Sequence, residues 1–342
     1  MSLTPPAATE APRTVPLAVL VVAVLVGAGL ATVGTAAYLE TRPTASGGPG
    51  TVSITDDLGR TVSVPVDPAR VAVLSPSIMD SMFRLGLRSH VVGVDCYPPP
   101  PAGGGLSSDY NATQIAEWNL TDSMCIQVEP ALNVESLLNA TPQLVLASTI
   151  ISTSAIEEIS DTYHVPVLLL QPSSIGGILV DVELLGRVFD VPNAADALVA
   201  SMQAELGVAG ALQANLTEAG TPFPTVLVTY YADSSGYWTF GPGTFGDSLI
   251  SLVSASSIGA NSTLPYPELS ASDVLVANPS VVLYAVGFGL GLSSYSSAPF
   301  WSDLGAVSDG HAWPVSSNLL TEPDPTMVLE GIPALLALLH PG

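Results

Sequence analysis

The chain has 342 residues, 48% of them hydrophobic, and a formal net charge of −23 at pH 7. The charge reflects a scarcity of cations, because 30 acidic residues face only 7 basic ones, all arginine, and lysine is absent. Such a surface cannot neutralise a run of phosphates, which argues against binding to nucleic acid or to anionic lipid headgroups. The apolar fraction is large enough for an extensive core, and the length suits two lobes or one large domain.

The N-terminal region contains a long uncharged segment at residues 16–38 (PLAVLVVAVLVGAGLATVGTAAY). A helix of this length, at ~1.5 Å per residue, spans a bilayer core of ~30 Å. We predict a transmembrane anchor that follows a short tail at residues 1–15, with a cleaved signal peptide as the alternative. Residues 39–50 are rich in Pro, Gly and Ser, which is typical of a flexible linker.

The rest of the chain carries signs of export. Five asparagines stand in N-x-[ST] glycosylation sequons: Asn111, Asn119, Asn139, Asn215 and Asn261. This number favours an extracytoplasmic location for everything after residue 38, on a single-pass protein of the cell membrane. The only two cysteines, Cys96 and Cys125, lie in the same region and predict a disulfide, with two buried free thiols as the alternative.

Apolar runs and helical stretches alternate after the linker. TVSI and TVSV, at residues 51–54 and 61–64, flank a turn-like segment and predict a β-hairpin. The following apolar runs predict buried strands at Arg70–Leu74, Val91–Val94, Leu144–Ala147 and Val167–Leu170. This rhythm is typical of a mainly parallel α/β sheet.

An internal repeat divides the chain into two halves. Residues 132–147 (LNVESLLNATPQLVLA) align without gaps to residues 269–284 (LSASDVLVANPSVVLY), and each copy predicts a capped helix, a proline and a buried strand. A second echo is HVVGVD at His90 and HAWPVS at His311. Between the halves, residues 194–219 lack proline and are rich in Ala and Leu, which predicts one long helix.

The predicted fold class is therefore α/β. Two Rossmann-like lobes are joined by a single long backbone helix, and an N-terminal transmembrane helix precedes them. The expected boundaries are 51–192 for the N-terminal lobe, 193–219 for the bridging helix and 220–342 for the C-terminal lobe. The four histidines are far apart, and the chain has neither a metal-ligand spacing nor a G-x-S-x-G elbow. We expect no catalytic residues, resident metal or cofactor, and no enzyme activity.

Six segments in order carry a family resemblance. They are DDLGRTVSVP (56–65), PARVAVLSPSIMDSMFRLGL (68–87), VVGVD (91–95), LNVESLLNATPQLVLA (132–147), GPGTFGDSLISLV (241–253) and PYPELSASDVL (265–275). The chain resembles the ABC-importer solute-binding proteins for ferric siderophores and cobalamin. The resemblance implies a subunit that captures a small-molecule metal chelate and delivers it to a permease dimer with its ATPase subunits. A cell-surface adhesion or assembly protein on the same fold, and an exported hydrolase, remain alternatives.

Ligands of open α/β sheets bind outside the carboxyl ends of the strands, which places the predicted cleft. The resemblance adds Tyr266 to the loop residues that this rule selects. The candidate ligand-binding residues are Ser75, Pro76, Ser77, Tyr97, Tyr231, Tyr237, Trp238, Tyr266, Phe288, Trp301 and Asn318. No arginine falls in these loops, so we predict a large, nearly neutral chelate, a corrinoid or a ferric hydroxamate, with a slight lean to the corrinoid. Tyrosine ligation of ferric iron, as in haem capture, is an alternative.

The resemblance also implies one exposed carboxylate per lobe that docks onto the permease. Glu135 occupies the first position, and Asp273, beside Ser272 and near Glu268, is the candidate in the second lobe. The alternative is a local role, since acids at helix N-termini are favoured by capping and by the helix dipole.

Overall fold

The computed structural model describes residues 50–96, 105–106, 110–149, 151–287 and 290–341. The predicted anchor at 16–38 and nearly all of the predicted linker lie outside these residues. Within the described ranges, no helix combines the length and the apolar character that a membrane span requires.

Fourteen short strands are described. They are β1 Thr51–Thr55, β2 Thr61–Pro65, β3 Val71–Leu74, β4 Val91–Cys96, β5 Cys125–Gln127, β6 Leu144–Ala147, β7 Val167–Leu169, β8 Thr225–Thr229, β9 Tyr231–Ala232, β10 Gly236–Trp238, β11 Ser256–Ser257, β12 Glu268–Ser270, β13 Val281–Val286 and β14 Ala312–Ser316.

The described α-helices cover both halves. They are α1 Pro76–Arg84, α2 Ala112–Glu117, α3 Val134–Asn139, α4 Thr153–Glu157, α5 Ile175–Val188, α6 Pro192–Glu218, α7 Phe245–Leu252, α8 Ala271–Ala277, α9 Leu292–Ser296, α10 Gly305–Ser308, α11 Ser317–Thr321 and α12 Ile332–Leu339. A π-helical turn at Met327–Gly331 leads into α12.

Two parallel sheets form the framework. Lobe 1 (residues 51–191) has the strand order β5-β4-β3-β6-β7, and lobe 2 (residues 220–341) has the order β11-β8-β13-β14, with every neighbouring pair parallel. The predicted hairpin is confirmed as the antiparallel pair β1–β2, and the four predicted strands are confirmed as β3, β4, β6 and β7. The antiparallel sheet β12-β10-β9 in lobe 2 was not predicted.

Successive side chains along the strands point to opposite faces of each sheet and so belong to different apolar clusters, of which three are described. In β3, Val71 and Val73 belong to a central core, whereas Ala72 and Leu74 belong to an outer core of lobe 1. In lobe 2, Val226 and Val228 of β8 join the same central core, and Leu227 joins a separate outer core. The period of two is that of a sheet buried on both faces. One continuous core therefore runs through both lobes.

The bridging helix is α6, with 27 residues, close to the predicted range. At its N-terminus it packs tightly against α5, since a Cβ built at Gly186 would lie 2.4 Å from the Cβ of Ala195. A larger residue at 186 would force the two helices apart. The lobes are thus connected by a rigid element that shares their core.

The long internal repeat is confirmed down to the backbone. Asn133 caps α3 and Ser270 caps α8, in each case by accepting a hydrogen bond from the amide three residues on. Thr141 and Asn278, the residues before the two prolines, both have positive φ, at 46° and 41°. Left-handed backbone of this kind is uncommon outside glycine, so its recurrence at matching positions identifies two copies of one unit.

The second echo is wrong as a structural repeat. The segment after His90 forms β4, which pairs with β3 on the side away from β6. The segment after His311 forms β14, which pairs with β13, the counterpart of β6. Both segments are strands, but they occupy different places in their sheets, because short apolar runs carry no information about their neighbours.

The predicted disulfide is confirmed. Cys96 ends β4, Cys125 begins β5, and their Cα atoms lie 5.4 Å apart on neighbouring parallel strands. The bond closes the irregular segment between these strands.

Candidate ligand-binding site

The carboxyl end of β3 leads directly into α1. Ser75 is the residue before the helix, Pro76 is its first residue, and the Oγ atoms of Ser75 and Ser77 lie 2.8 Å apart within hydrogen-bonding distance. Both serines are buried. The predicted residues Ser75, Pro76 and Ser77 therefore stand at the sheet edge where ligands of this fold class bind.

A pocket of about 240 Å³ of empty volume, open to solvent, adjoins this turn. Its walls come from α1, from the loop after β7, from α5 and from lobe 2, and the lining residues are Ser77, Ile78, Ser81, Leu170, Pro172, Ile178, Asp181, Leu185 and Pro323. Pro323 belongs to lobe 2 and the others to lobe 1. The pocket thus lies at the boundary between the lobes.

Asp181 is the charged residue of this pocket, and sequence reasoning missed it. Its side chain is only 7% exposed, and no hydrogen bond of the described residues reaches its carboxylate. Burial raises the pKa of Asp181 well above its ordinary value, and the nearby carboxylate of Asp57 raises it further. The sequence signal was the position of Asp181 between Ile178 and Leu185 on the apolar face of α5.

In lobe 2, three aromatic residues form what we call the aromatic wall: Tyr230, Phe240 and Tyr266. The ring centroids of Tyr230 and Phe240 lie 5.0 Å apart, and those of Phe240 and Tyr266 lie 6.3 Å apart. Tyr230 directly follows β8, and 56% of Tyr266 is exposed. Burial raises the pKa of Tyr230, and Tyr266 adds to the effect.

Of the aromatic wall, only Tyr266 was named from the sequence. Tyr230 could have been found, since it is the first residue after the apolar, β-rich run TVLVT (225–229), which forms β8. Phe240 could not, because its contribution depends on the ring contacts on either side of it.

Two predicted contacts, Tyr237 and Trp301, pack inside lobe 2. Tyr237 is fully buried and donates a hydrogen bond from its hydroxyl group to the carbonyl of Pro299 at 2.9 Å. Its ring stacks on Trp301, 5% exposed, with centroids 6.5 Å apart, and burial raises the pKa of Tyr237 to about 12. These side chains belong to the outer core of lobe 2, and we do not retain them as ligand contacts.

The remaining predicted residues fall in three groups. Tyr231 is exposed and pairs with Trp238 across β9 and β10, and the indole Nε1 of Trp238 is buried without a partner among the described residues. Asn318 is half-buried in α11, just after β14. Tyr97 and Phe288 lie outside the described residues.

Four of the five arginines in the described part of the chain are engaged away from these surfaces. Arg60 binds Asp56 at 2.6 Å, and Arg84 binds Asp80 and Glu330 at 3.1 and 2.8 Å. Arg70 donates to the carbonyls of Ala140 and Thr141 at the end of α3. Arg88 donates to the carbonyls of Trp118 and Asn119. These four guanidinium groups stabilise the fold and are not available to a ligand.

No cluster of three or more His, Cys, Asp or Glu side chains suited to a metal ion occurs among the described residues.

Comparison with known proteins identifies the family. The periplasmic binding protein family matches residues 71–311 of this chain. The chain belongs to the periplasmic binding protein family. The match begins at β3 and ends just before β14, so it covers both lobes and the bridging helix. The family consists of solute-binding proteins, which is consistent with the expected lack of enzyme activity.

Individual relatives agree with this assignment. An uncharacterized ABC transporter substrate-binding lipoprotein, YvrC of Bacillus subtilis, is 23% identical over 85% of this chain and 86% of its own length. A cobalamin-binding protein of Halobacterium salinarum is 26% identical over 78% of this chain and 68% of its own. The molybdate periplasmic binding protein MolA of Haemophilus influenzae, with 19% identity over 84% of this chain and 91% of its own, has the same fold at a TM-score of 0.67.

The two carboxylates considered for permease docking are both exposed at helix starts. Glu135 lies in the first turn of α3. Asp273 lies in the first turn of α8 and hydrogen-bonds the Oγ atom of Ser270, the capping residue, at 2.7 Å. Asp273 therefore has a local capping role, whereas Glu135 has no described ion-pair partner. The five sequon asparagines are exposed as well.

Proposed function

We propose that this periplasmic binding protein is the extracytoplasmic substrate-binding component of an ABC importer, and that it captures a cobalamin-like corrinoid or a ferric siderophore for delivery to a membrane permease. The family assignment and the relatives support the importer role. The Halobacterium relative, by its name a cobalamin-binding protein, supports the corrinoid. The five exposed sequons support an extracytoplasmic position, and residues 16–38 would supply the anchor.

The proposed ligand class rests mainly on the aromatic wall. It is also supported by the ion pairs and hydrogen bonds that four arginines already make within the protein. Tyr230 and Tyr266, with Phe240 buried behind them, offer flat apolar surface and few side-chain torsions to immobilise, which suits a wide, weakly charged ligand. A trianionic catecholate or carboxylate complex needs clustered cations to offset its desolvation. The chain has no lysine, and Arg60, Arg70, Arg84 and Arg88 already have partners.

Titration calorimetry tests the proposal. The fragment after residue 42 is titrated with cobalamin, cobinamide, a ferric hydroxamate, a ferric catecholate and haem. We expect submicromolar binding of a corrinoid or of the hydroxamate. Tight binding of the catecholate alone would overturn the charge argument, and tight binding of haem alone would favour tyrosine ligation of its iron. If none of the five binds, the proposed ligand class is overturned, and an adhesion role on this fold gains support.

A further inference from the structure

A single buried acid interrupts the apolar face of α5. Ile178, Asp181 and Leu185 are spaced by three and four residues, so they lie on one face of the helix, and all three line the pocket at the lobe boundary. A core position between isoleucine and leucine normally carries another apolar residue. The carboxylate of Asp181 is instead held in a site that disfavours its charge.

The surroundings of Asp181 provide no compensating partner. Its side chain is 7% exposed, and no hydrogen bond of the described residues reaches it. The nearby hydroxyl groups are engaged, because Ser77 Oγ pairs with Ser75 Oγ and Ser81 Oγ donates to the carbonyl of Ser77. The carboxylate oxygens do not belong to the fully enclosed polar atoms that lack a partner, so they still reach the solvent of the pocket, where a donor can approach them.

The carboxylate of Asp57, near Asp181, indicates which chemical groups could bind to Asp181. The nearest titratable influence on Asp181 is Asp57, a second carboxylate, which accepts a hydrogen bond from the backbone amide of Gln171 at 2.5 Å. No arginine lines the pocket. Two acids without a cation repel an anionic group and attract N–H or O–H donors or a positive charge.

The pocket lies at the edge of the sheet where ligands of this fold class bind. Ser77 follows β3, Pro172 follows β7, and Pro323 comes from lobe 2, so the pocket lies at the carboxyl edge of the lobe 1 sheet against the other lobe. Its interior has room for about one water-sized group, so a single N–H or O–H group of a ligand would fill it by taking the place of a water molecule.

We infer that Asp181 is the hydrogen-bond acceptor of lobe 1 for the ligand, and that its pocket receives an N–H or O–H donor on a neutral or cationic part of that ligand. The inference rests on the proposed function and deepens it. A corrinoid with primary amides at its edge satisfies this requirement, and an ester analogue of the same ring does not.

The test pairs a protein change with a matched ligand change. Calorimetry compares wild type, Asp181→Leu and Asp181→Asn, each against cobinamide and against the heptamethyl ester of cobyrinic acid, which lacks the amide donors. We expect Asp181→Leu to weaken cobinamide binding about tenfold or more, Asp181→Asn to weaken it less, and the ester to be insensitive to both changes. If wild type binds a ferric hydroxamate instead, ferrioxamine, which has amide donors, takes the place of cobinamide.

Two controls separate this inference from its alternatives. Asp196→Leu removes an exposed acid from α6 that is not among the pocket-lining residues, and should leave affinity unchanged. A purely structural Asp181 would alter the thermal midpoint without altering affinity, whereas we expect the variants to melt at or above the wild-type temperature and to bind cobinamide more weakly. Equal cobinamide affinity in wild type and Asp181→Leu overturns the inference. Failure of wild type to bind any of the five chelates overturns the proposed function instead.

Discussion

Asp80 of lobe 1 accepts two hydrogen bonds from Thr326 of lobe 2, one from its backbone amide at 2.9 Å and one from its hydroxyl group at 2.8 Å. Arg84 completes the cluster, because its guanidinium group contacts Asp80, the Thr326 hydroxyl group and Glu330. Asp80 is 2% exposed, so these contacts lie in a region shielded from solvent. This interlobe polar cluster ties α1 to the segment before α12.

We predict that Asp80→Ala destabilises the protein by about 2–3 kcal/mol. The change leaves Arg84 and the Thr326 amide without their acceptor, and the partial exposure of Arg84 reduces the cost below that of a fully buried pair. The measurement is urea unfolding of the fragment after residue 42. Glu330→Gln is the matched control, because its side chain is 63% exposed and its loss should cost less than about 1 kcal/mol. Equal costs for the two variants would contradict the assignment.

The disulfide between Cys96 and Cys125 should contribute about 3–4 kcal/mol in the chain-entropy model. We therefore expect the double variant Cys96→Ser/Cys125→Ser to unfold at lower urea concentration than wild type by that amount. A reducing agent should lower the stability of wild type and leave the double variant unchanged. Detection of two free thiols in the unfolded, unreduced protein would refute the bond.

Asp181 should make stability depend on pH. Its pKa is raised on folding by burial and by Asp57, so the folded state holds its proton more tightly than the unfolded state does. The contribution to stability is complete below the unfolded pKa of about 4 and is lost as the pH rises through the folded pKa. Urea unfolding between about pH 4 and pH 8 should show a smaller decline with rising pH in Asp181→Asn than in wild type. Identical slopes would show that the carboxyl group titrates normally.

The aromatic residues of lobe 2 should separate into binding and packing roles. Tyr266→Ala should weaken the binding of the ligand found by calorimetry about tenfold at nearly unchanged stability, since Tyr266 is 56% exposed. Trp301→Ala should destabilise lobe 2 by about 3–5 kcal/mol, because the ring is buried in the outer core. Loss of stability in Tyr266→Ala, or loss of affinity in a still-folded Trp301→Ala, would reverse these roles.

Glu135 is the better candidate for permease docking. We predict that Glu135→Arg abolishes most ligand uptake by cells while calorimetric affinity for the ligand stays at the wild-type level. Asp196→Arg, an exposed charge reversal on α6, is the control and should leave uptake intact. Asp273→Arg should also lower stability, because it removes the hydrogen bond to Ser270 that caps α8. Normal uptake by Glu135→Arg would exclude the docking role.

Local patterns were sufficient for much of the architecture. The apolar runs of β3 and β6, the capping residues Asn133 and Ser270, and the proline after each repeated helix are short-range signals, and each produced the expected element. The long helix α6 followed from residues 194–219, which lack proline and are rich in Ala and Leu. The disulfide followed from there being two cysteines in a region predicted to be exported. Such features depend on residues that are close in sequence, or on how many residues of one type the chain contains.

Only the tertiary structure decided which side chains face a ligand. Tyr230 and Tyr237 are tyrosines seven residues apart, yet Tyr237 is buried in β10, which pairs with β9 and β12, whereas Tyr230 lies in the aromatic wall. Asp181 is an ordinary acid in the sequence, and its burial depends on α1, β7 and Pro323. Asp80 and Thr326 meet across 246 residues of chain. Side-chain direction and long-range contact arise from packing, which local sequence patterns do not encode.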